Sequence, residues 1–328
     1  MLLESDVRTM DLSIIIINWH SSDFVRECLK SLWAGSTPCN FEVIVVDNAS
    51  SDGCGQMLEV EFPRTKFIAS VTNLGFARAN NLGAREAAGR NLLFLNPDTE
   101  VVGDALPHMV AFLDGRPDAG TVGCRLLNTD RSLQTSCVQA FPSILNQAID
   151  SEYLRQRFPG SGLWGTSALL SKSGPSDVEV ISGACLMIKA NVFNTVGQFT
   201  PDYFMYAEDA DLCFKVRQAG CKNYYLPDAS VVHHGGRSSD KSTESNFAAV
   251  MMRESLMKFM QLHRGPVYAA VYQGTIAIAA AIRIVLLGVG CLYTWGEARR
   301  EALYKSLRKW IKLLRWGLGM ERWTRQEA

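Results

Sequence analysis

Three runs in the first hundred residues carry almost no polar alternation: LSIIIIN at 12–18, FEVIVVD at 41–47 and NLLFL at 91–95. Short, nearly unbroken apolar runs read as strands covered on both faces, as in a parallel sheet. A fourth strand is expected at 66–70. Helices are expected between them. Ser21, Ser22 and Asp23 offer N-caps for a helix over 24–33, and the polar turn 48–53 precedes one running to about Glu61. Asn73-Leu74-Gly75 opens a third over 76–88, and a fourth is indicated over 104–113. Strands alternating with helices up to about Arg125 predict an α/β fold with a doubly wound, mostly parallel sheet.

In such sheets ligands bind beyond the carboxyl ends of the strands. The run at 91–95 stops at Asn96-Pro97-Asp98, because Pro97 cannot donate to a ladder. Asp98 at that end can hold a divalent cation, and a cation can hold a diphosphate; the simpler reading is a cap for the helix over 104–113. The turn after the first strand, Asn18 to Ser22, contains no glycine, which argues against a dinucleotide fingerprint. If phosphate binds, a metal must replace those glycines.

Residues 125–180 hold scattered Pro and Gly and read as a loop region able to border a substrate cleft. VISGACLMIK at 180–189 is strand-like but interrupted at Ser182-Gly183, either a bulge or a place where a ligand meets backbone. Glu208, Asp209 and Asp211 crowd the start of a helix. They can complement its dipole, or, if partly buried, one can have a raised pKa and act as a general base. His233 and His234 end an apolar run and are followed by Gly235 and Gly236.

Composition narrows the classes. The 47% hydrophobic content of 328 residues is ample for a core, and a net charge of +0 gives no global field to recruit nucleic acid. Nine scattered cysteines without CxxC pairs favour a reducing compartment, with Cys28, Cys185 and Cys213 as core thiols. The acidic N-terminal stretch lacks a long apolar region and is not expected to act as a secretory signal.

Together, SIIIINWHS, VIVVDNASSDG, NLGFARANN, LLFLNPDTE, SGACLMIK, FMYAEDADLCFKV and VVHHGG resemble the family 2 glycosyltransferases of the GT-A fold, in their rhamnosyltransferase-like branch. The resemblance runs in family order from about residue 11 to 237. It implies inverting transfer of a sugar from a nucleotide-diphosphate sugar. By the same resemblance Asp47, Asn18, Asn80 and Asn96 serve the nucleotide, Asp98 and His233 hold Mg²⁺ or Mn²⁺, and Asp209 is the general base. Gly183, Ala184 and Glu208 lie near the acceptor or donor sugar. Asn96 stands where the family's Asp-x-Asp motif begins with an acid, so the metal site carries one charge fewer. The branch points to dTDP-rhamnose and a lipid-linked saccharide acceptor in bacterial surface polysaccharide assembly. Alternatives are another donor, such as UDP-galactofuranose or UDP-glucose, or a non-catalytic nucleotide-sugar-binding scaffold.

The expected division is a tail at 1–10, a catalytic region at 11–262 (nucleotide-sugar half to about 125, acceptor half from 126) and a membrane-associated helical region at 263–328. An apolar stretch from Pro266 is broken by Arg283, where a charge at the bilayer centre costs roughly 2.5–3.5 kcal/mol. Each half is shorter than the ~20 residues a span needs. A membrane-embedded or re-entrant hairpin is therefore expected, against an ordinary packed hairpin. The stretch 297–317 reads as a basic amphipathic helix on an anionic membrane, with Leu303, Leu307, Trp310, Ile311 and Leu314 on one face. Leu313 and Trp316 fall off that pattern. The expected location is the cytoplasmic face of the membrane; oligomeric state stays open.

Overall fold

The computed structural model describes residues 10–35, 39–149, 152–170, 174–235, 244–293 and 297–323. The tail before Met10, Gly236 and Thr294 lie outside them. The chain divides into two compact units, the first made of Met1–Phe141, Pro159–Phe204 and Glu208–Ser238.

The strands of this unit are β1 (Leu12–Asn18), β2 (Phe41–Asn48), β3 (Lys66–Ser70), β4 (Asn91–Leu95), β5 (Thr99–Val102), β6 (Ala119–Leu127), β7 (Val138–Gln139), β8 (Ser176–Val178), β9 (Val180–Ile181), β10 (Cys185–Lys189) and β11 (Lys222–His233). The main sheet runs β3-β2-β1-β4-β10-β6-β11-β5, with β8 beside β11, while β7 and β9 pair separately. β3, β2, β1 and β4 are mutually parallel, and β10 is inserted antiparallel between β4 and β6. The sheet is therefore mixed, with its parallel half at the N-terminal side of the chain.

The helices are α1 (Ser22–Trp33), α2 (Cys54–Glu61), α3 (Gly75–Arg85), α4 (Ala105–Gly115), α5 (Ile144–Ala148), α6 (Glu152–Arg157), α7 (Ala190–Thr195), α8 (Glu208–Gln218), α9 (Glu244–Arg264), α10 (Pro266–Tyr293) and α11 (Glu297–Gly317). Every residue of β1 and β4 is buried, as unalternating apolar runs require when both sheet faces are covered. α3 is shorter than 76–88 because the chain is drawn back to the sheet: Gly89 N–H donates to Ser13 Oγ at 2.8 Å and Arg90 N–H to the Met10 carbonyl at 3.0 Å. It starts at Gly75, which has φ +75°, and a Cβ there would lie 2.4 Å from the Phe204 carbonyl oxygen. Only glycine fits. α8 begins at Glu208, so all three acids fall in its first turn.

The second unit comprises Pro142–Phe158, Met205–Ala207 and Ser239–Ala328. It takes in 239–262 with the C-terminal helices. The hairpin expected within 266–294 does not form: α10 is one helix of 28 residues running straight through Arg283. The charge is accommodated by partners distant in sequence. The Arg283 guanidinium lies 4.2 Å from the Trp310 ring centroid and donates to the Ala148 carbonyl at 3.2 Å. The hairpin that does form is α10 with α11. Gln273 Nε2 donates to the Trp316 carbonyl at 3.1 Å, and a Cβ at Gly317 would lie 2.7 Å from Ala277 Cβ. The expected apolar face of α11 is rotated accordingly. Leu313 and Trp316, which fell off the pattern, are buried, and Ile311 is 41% exposed.

Along α10 the opposite side is bare. Val267, Val271, Ile278, Ile282, Val285 and Leu286 are each more than half exposed. Among the described residues α10 alone is long and apolar enough to cross a membrane.

Candidate active site

The parallel register sets Asn18 beside Asp47 at the carboxyl ends of β1 and β2. Asn18 Nδ2 donates to Asp47 Oδ1 at 2.7 Å and to both Asp52 oxygens at 3.2 Å, while its Oδ1 accepts the Ser21 N–H at 3.2 Å. The glycine-free turn is thus shaped by side chains. Asp52 is a residue sequence reasoning missed. Its carboxylate accepts the N–H groups of Ser22 at 3.0 Å and Cys54 at 3.3 Å, so it sits at the starts of both α1 and α2. Its signal in the sequence is the Asp52-Gly53 pair within the polar turn. Asn48 holds the next loop: its Nδ2 donates to Asn73 Oδ1 at 2.8 Å and its Oδ1 accepts the Leu74 N–H at 2.7 Å. Asn80 is buried in α3, its amide donating to the Phe76 carbonyl at 3.0 Å.

At the end of β4, Asn96 N–H donates to the Ala184 carbonyl at 3.0 Å. This bond seats the Asn96-Pro97-Asp98 turn against the interrupted strand at 182–184. From β11, His233 Nε2 lies 3.4 Å from Asp98 Oδ1 and 3.3 Å from Asn96 Nδ2. Asp98 is 4% exposed and His233 half-buried. Asp98 does not cap α4, whose N-cap residue is Asp104. His234 is turned elsewhere, with Nε2 2.7 Å from Glu100 Oε1 and Nδ1 3.0 Å from Thr129 Oγ1. Among the described residues no three His, Cys, Asp or Glu side chains converge as a cage. One carboxylate and one imidazole, with a diphosphate completing the shell, nevertheless form a donor set that suits Mn²⁺ or Mg²⁺.

The acids of α8 divide into three conditions. Asp211 is structural: it accepts from Thr200 Oγ1 at 2.7 Å and pairs with Lys215 Nζ at 2.9 Å. Glu208 is buried, and its Oε2 has no hydrogen-bond partner among the described residues. Burial pushes its carboxyl well above the ordinary range, and the neighbouring Asp209 charge adds to this. Asp209 is also raised by burial, but backbone N–H groups oppose the rise. Gly183 N–H donates to its Oδ2 at 3.0 Å and Ala210 N–H to its Oδ1 at 2.8 Å. Backbone donors favour the carboxylate form at Asp209, while burial and an unpartnered oxygen favour the acid form at Glu208. The fold brings together His233, Asp98, Asn96, Ala184, Gly183 and Asp209 through successive contacts. Asn18 and Asp47 stand on the neighbouring strands.

A family model described as glycosyl transferase family 2 matches residues 13–194, more than half of the chain. The chain is 28% identical over 253 residues to N-acetylglucosaminyl-diphospho-decaprenol L-rhamnosyltransferase of Mycobacterium tuberculosis, covering 73% of this chain and 80% of that one. It is 26% identical over 231 residues to rhamnosyltransferase WbbL of Escherichia coli, covering 67% and 82%. Among solved structures, the mannosyltransferase PcManGT of Pyrobaculum calidifontis, in complex with GDP-Man and Mn²⁺, superposes with a TM-score of 0.58. That match covers 92% of this chain and 85% of the other at 18% identity, a likeness of fold.

Proposed function

The chain belongs to glycosyl transferase family 2, among rhamnosyltransferase-like members, and on that premise we propose that it transfers L-rhamnose from dTDP-rhamnose, with inversion, to a lipid-linked saccharide during surface polysaccharide assembly. The relatives' names support the sugar and the kind of acceptor. The observation that carries the chemistry is the pairing of Asp209 with the Gly183 N–H, next to the buried carboxyl of Glu208.

Asn18, Asp47, Asn80 and Asn96 receive the nucleotide. Asp98 and His233 would hold Mg²⁺ or Mn²⁺, which when bound neutralises the charge gathering on the leaving diphosphate. Asp209 takes the proton of the acceptor hydroxyl. The freed oxygen forms its bond to the anomeric carbon on the face opposite the departing diphosphate. Gly183 and Ala184 present backbone without bulk where the sugar must pass, and Glu208, kept neutral, adds no charge beside the base.

The same reading puts the protein on the cytoplasmic face of the membrane. α11 packs along α10 and carries Lys305, Arg308, Lys309 and Lys312. If α10 spanned the bilayer, those cations would enter hydrocarbon at roughly 2.5–3.5 kcal/mol each. The hairpin therefore lies in the interface, with the bare side of α10 in lipid and the cations near anionic headgroups.

The test is nucleotide release by the full chain, given dTDP-rhamnose or a UDP-sugar, with and without a lipid-linked saccharide. Release of dTDP only with acceptor, abolished by a chelator, is expected. Release only from a UDP-sugar replaces the donor, and undiminished release in chelator removes the metal.

A further inference from the structure

His233 can offer Nε2 to a cation only when its ring proton sits on Nδ1. We propose that Gln134 is the positioning residue that keeps it there; this rests on the reading of Asp98 and His233 as the cation's protein ligands. The geometry is a chain of hydrogen bonds that can run in one direction only. At its far end the Asp130 carboxylate can only accept. It takes the Ser132 N–H at 2.9 Å and the Ser132 hydroxyl at 2.5 Å. The Ser132 oxygen, its proton committed, receives Asn128 Nδ2 at 2.9 Å. That turns Asn128 Oδ1 toward Gln134, where it accepts from Nε2 at 3.2 Å. Gln134 then has its Oε1 left for His233, 2.7 Å from Nδ1.

An amide oxygen cannot donate, so the bond requires the imidazole proton on Nδ1. In the neutral ring, the Nε2 lone pair is then left facing Asp98 and Asn96. Turning both amides over would aim a Gln134 N–H at Nδ1, but the Ser132 hydroxyl would then point its proton at Asn128 and leave two oxygens 2.5 Å apart at Asp130 with none between them. The backbone supports the arrangement. Gln134 N–H donates to the Leu126 carbonyl at 2.9 Å at the edge of β6, and β6 pairs with β11, which ends in His233. Gln134 lies nearly a hundred residues from His233 in a segment read only as loop.

Partners that fix the free nitrogen of a ligating histidine typically contribute about 10- to 100-fold in metal affinity. Two readouts separate this proposal from the metal reading. The first is long-range ¹H–¹⁵N correlation on metal-free, ¹⁵N-histidine-labelled full chain, about two units above the ordinary imidazole pKa of ~6.5. His233 is assigned by its loss in His233→Gln. Wild type and Gln134→Glu, which keeps the acceptor, are expected in the Nδ1–H form, and Gln134→Met as a mixture. The second is Mn²⁺ titration in the presence of dTDP. Binding about 10- to 100-fold weaker in Gln134→Met and retained in Gln134→Glu is expected. An Nε2–H form in wild type, or a Met variant matching wild type in both readouts, overturns the proposal. A wild type that takes no Mn²⁺ yet shows the Nδ1–H form, lost in Gln134→Met, supports the positioning and overturns the metal reading.

Discussion

Gly183 donates its backbone N–H to Asp209 Oδ2 at 3.0 Å, tying the break between β9 and β10 to the first turn of α8. Asp209→Asn keeps the shape of the side chain but cannot take a proton near neutrality. Donor binding should persist while turnover falls by about 10²-fold or more, read by calorimetry with dTDP-rhamnose and by single-turnover kinetics. An equal loss in Glu208→Gln, with none in Asp209→Asn, would move the base to Glu208.

The neighbouring carboxyl gives a stability signature. Burial raises the Glu208 pKa in the folded state, so on raising the pH the unfolded chain releases this proton first. Its contribution to stability is therefore greatest in acid. It declines as pH rises above the ordinary carboxylate value, until the folded pKa is reached. Glu208→Gln, neutral at all pH, should flatten this part of the curve and be relatively more stable toward alkaline pH. Melting temperatures of both proteins across pH 4 to 9 (roughly the window set by the ordinary carboxylate value) check this. Parallel curves would mean that Glu208 is ionised in the folded protein.

Asp52 joins three donors from separate elements: Asn18 Nδ2, Ser22 N–H and Cys54 N–H. Asp52→Ala leaves these without their acceptor and should cost about 1–3 kcal/mol in urea unfolding. It should also weaken dTDP binding, because Asn18 loses one of two carboxylate anchors. Wild-type dTDP affinity in the variant would show that Asp47 alone suffices to hold Asn18.

On α10, Ile282 and Leu286 are 55% and 65% exposed, so replacing both with Ser should leave the melting temperature within a degree or two. Binding to vesicles containing anionic lipid should fall more than tenfold, and the loss should persist at high salt, since burying such a side chain is worth about 1.5–3 kcal/mol. Co-sedimentation at low and high salt is the measurement. Undiminished binding would take α10 off the membrane.

β1, β2 and β4 were legible because unbroken apolar runs have one economical fate, burial on both faces, and the acids and amides at their ends follow from where those runs stop. β10 was legible as a strand but not as an antiparallel insertion between β4 and β6, since direction is set by pairing, which local pattern does not encode. Arg283 was read as a break because its partners, Trp310 and the Ala148 carbonyl, are remote in sequence. Leu313 and Trp316 looked like exceptions because the face of α11 is chosen by contact with α10, not by the helix's own periodicity. Among the site residues, those in motifs were read, while Asp52 and Gln134 were missed because each acts by accepting or orienting hydrogen bonds across elements.

The two sides of α10 are under different rules of replacement. Tyr272 is fully buried, with Arg253 and Trp316 near it, so its shape cannot change without moving neighbours. Ile278, Ile282 and Val285 present most of their surface outward. If that side rests in lipid as proposed, one aliphatic side chain should exchange for another with little consequence, because a fluid layer conforms to any outline. On the same proposal, a drift toward polar residues along that side would leave a helix still folded and a catalytic centre still intact, in a protein that no longer meets its acceptor.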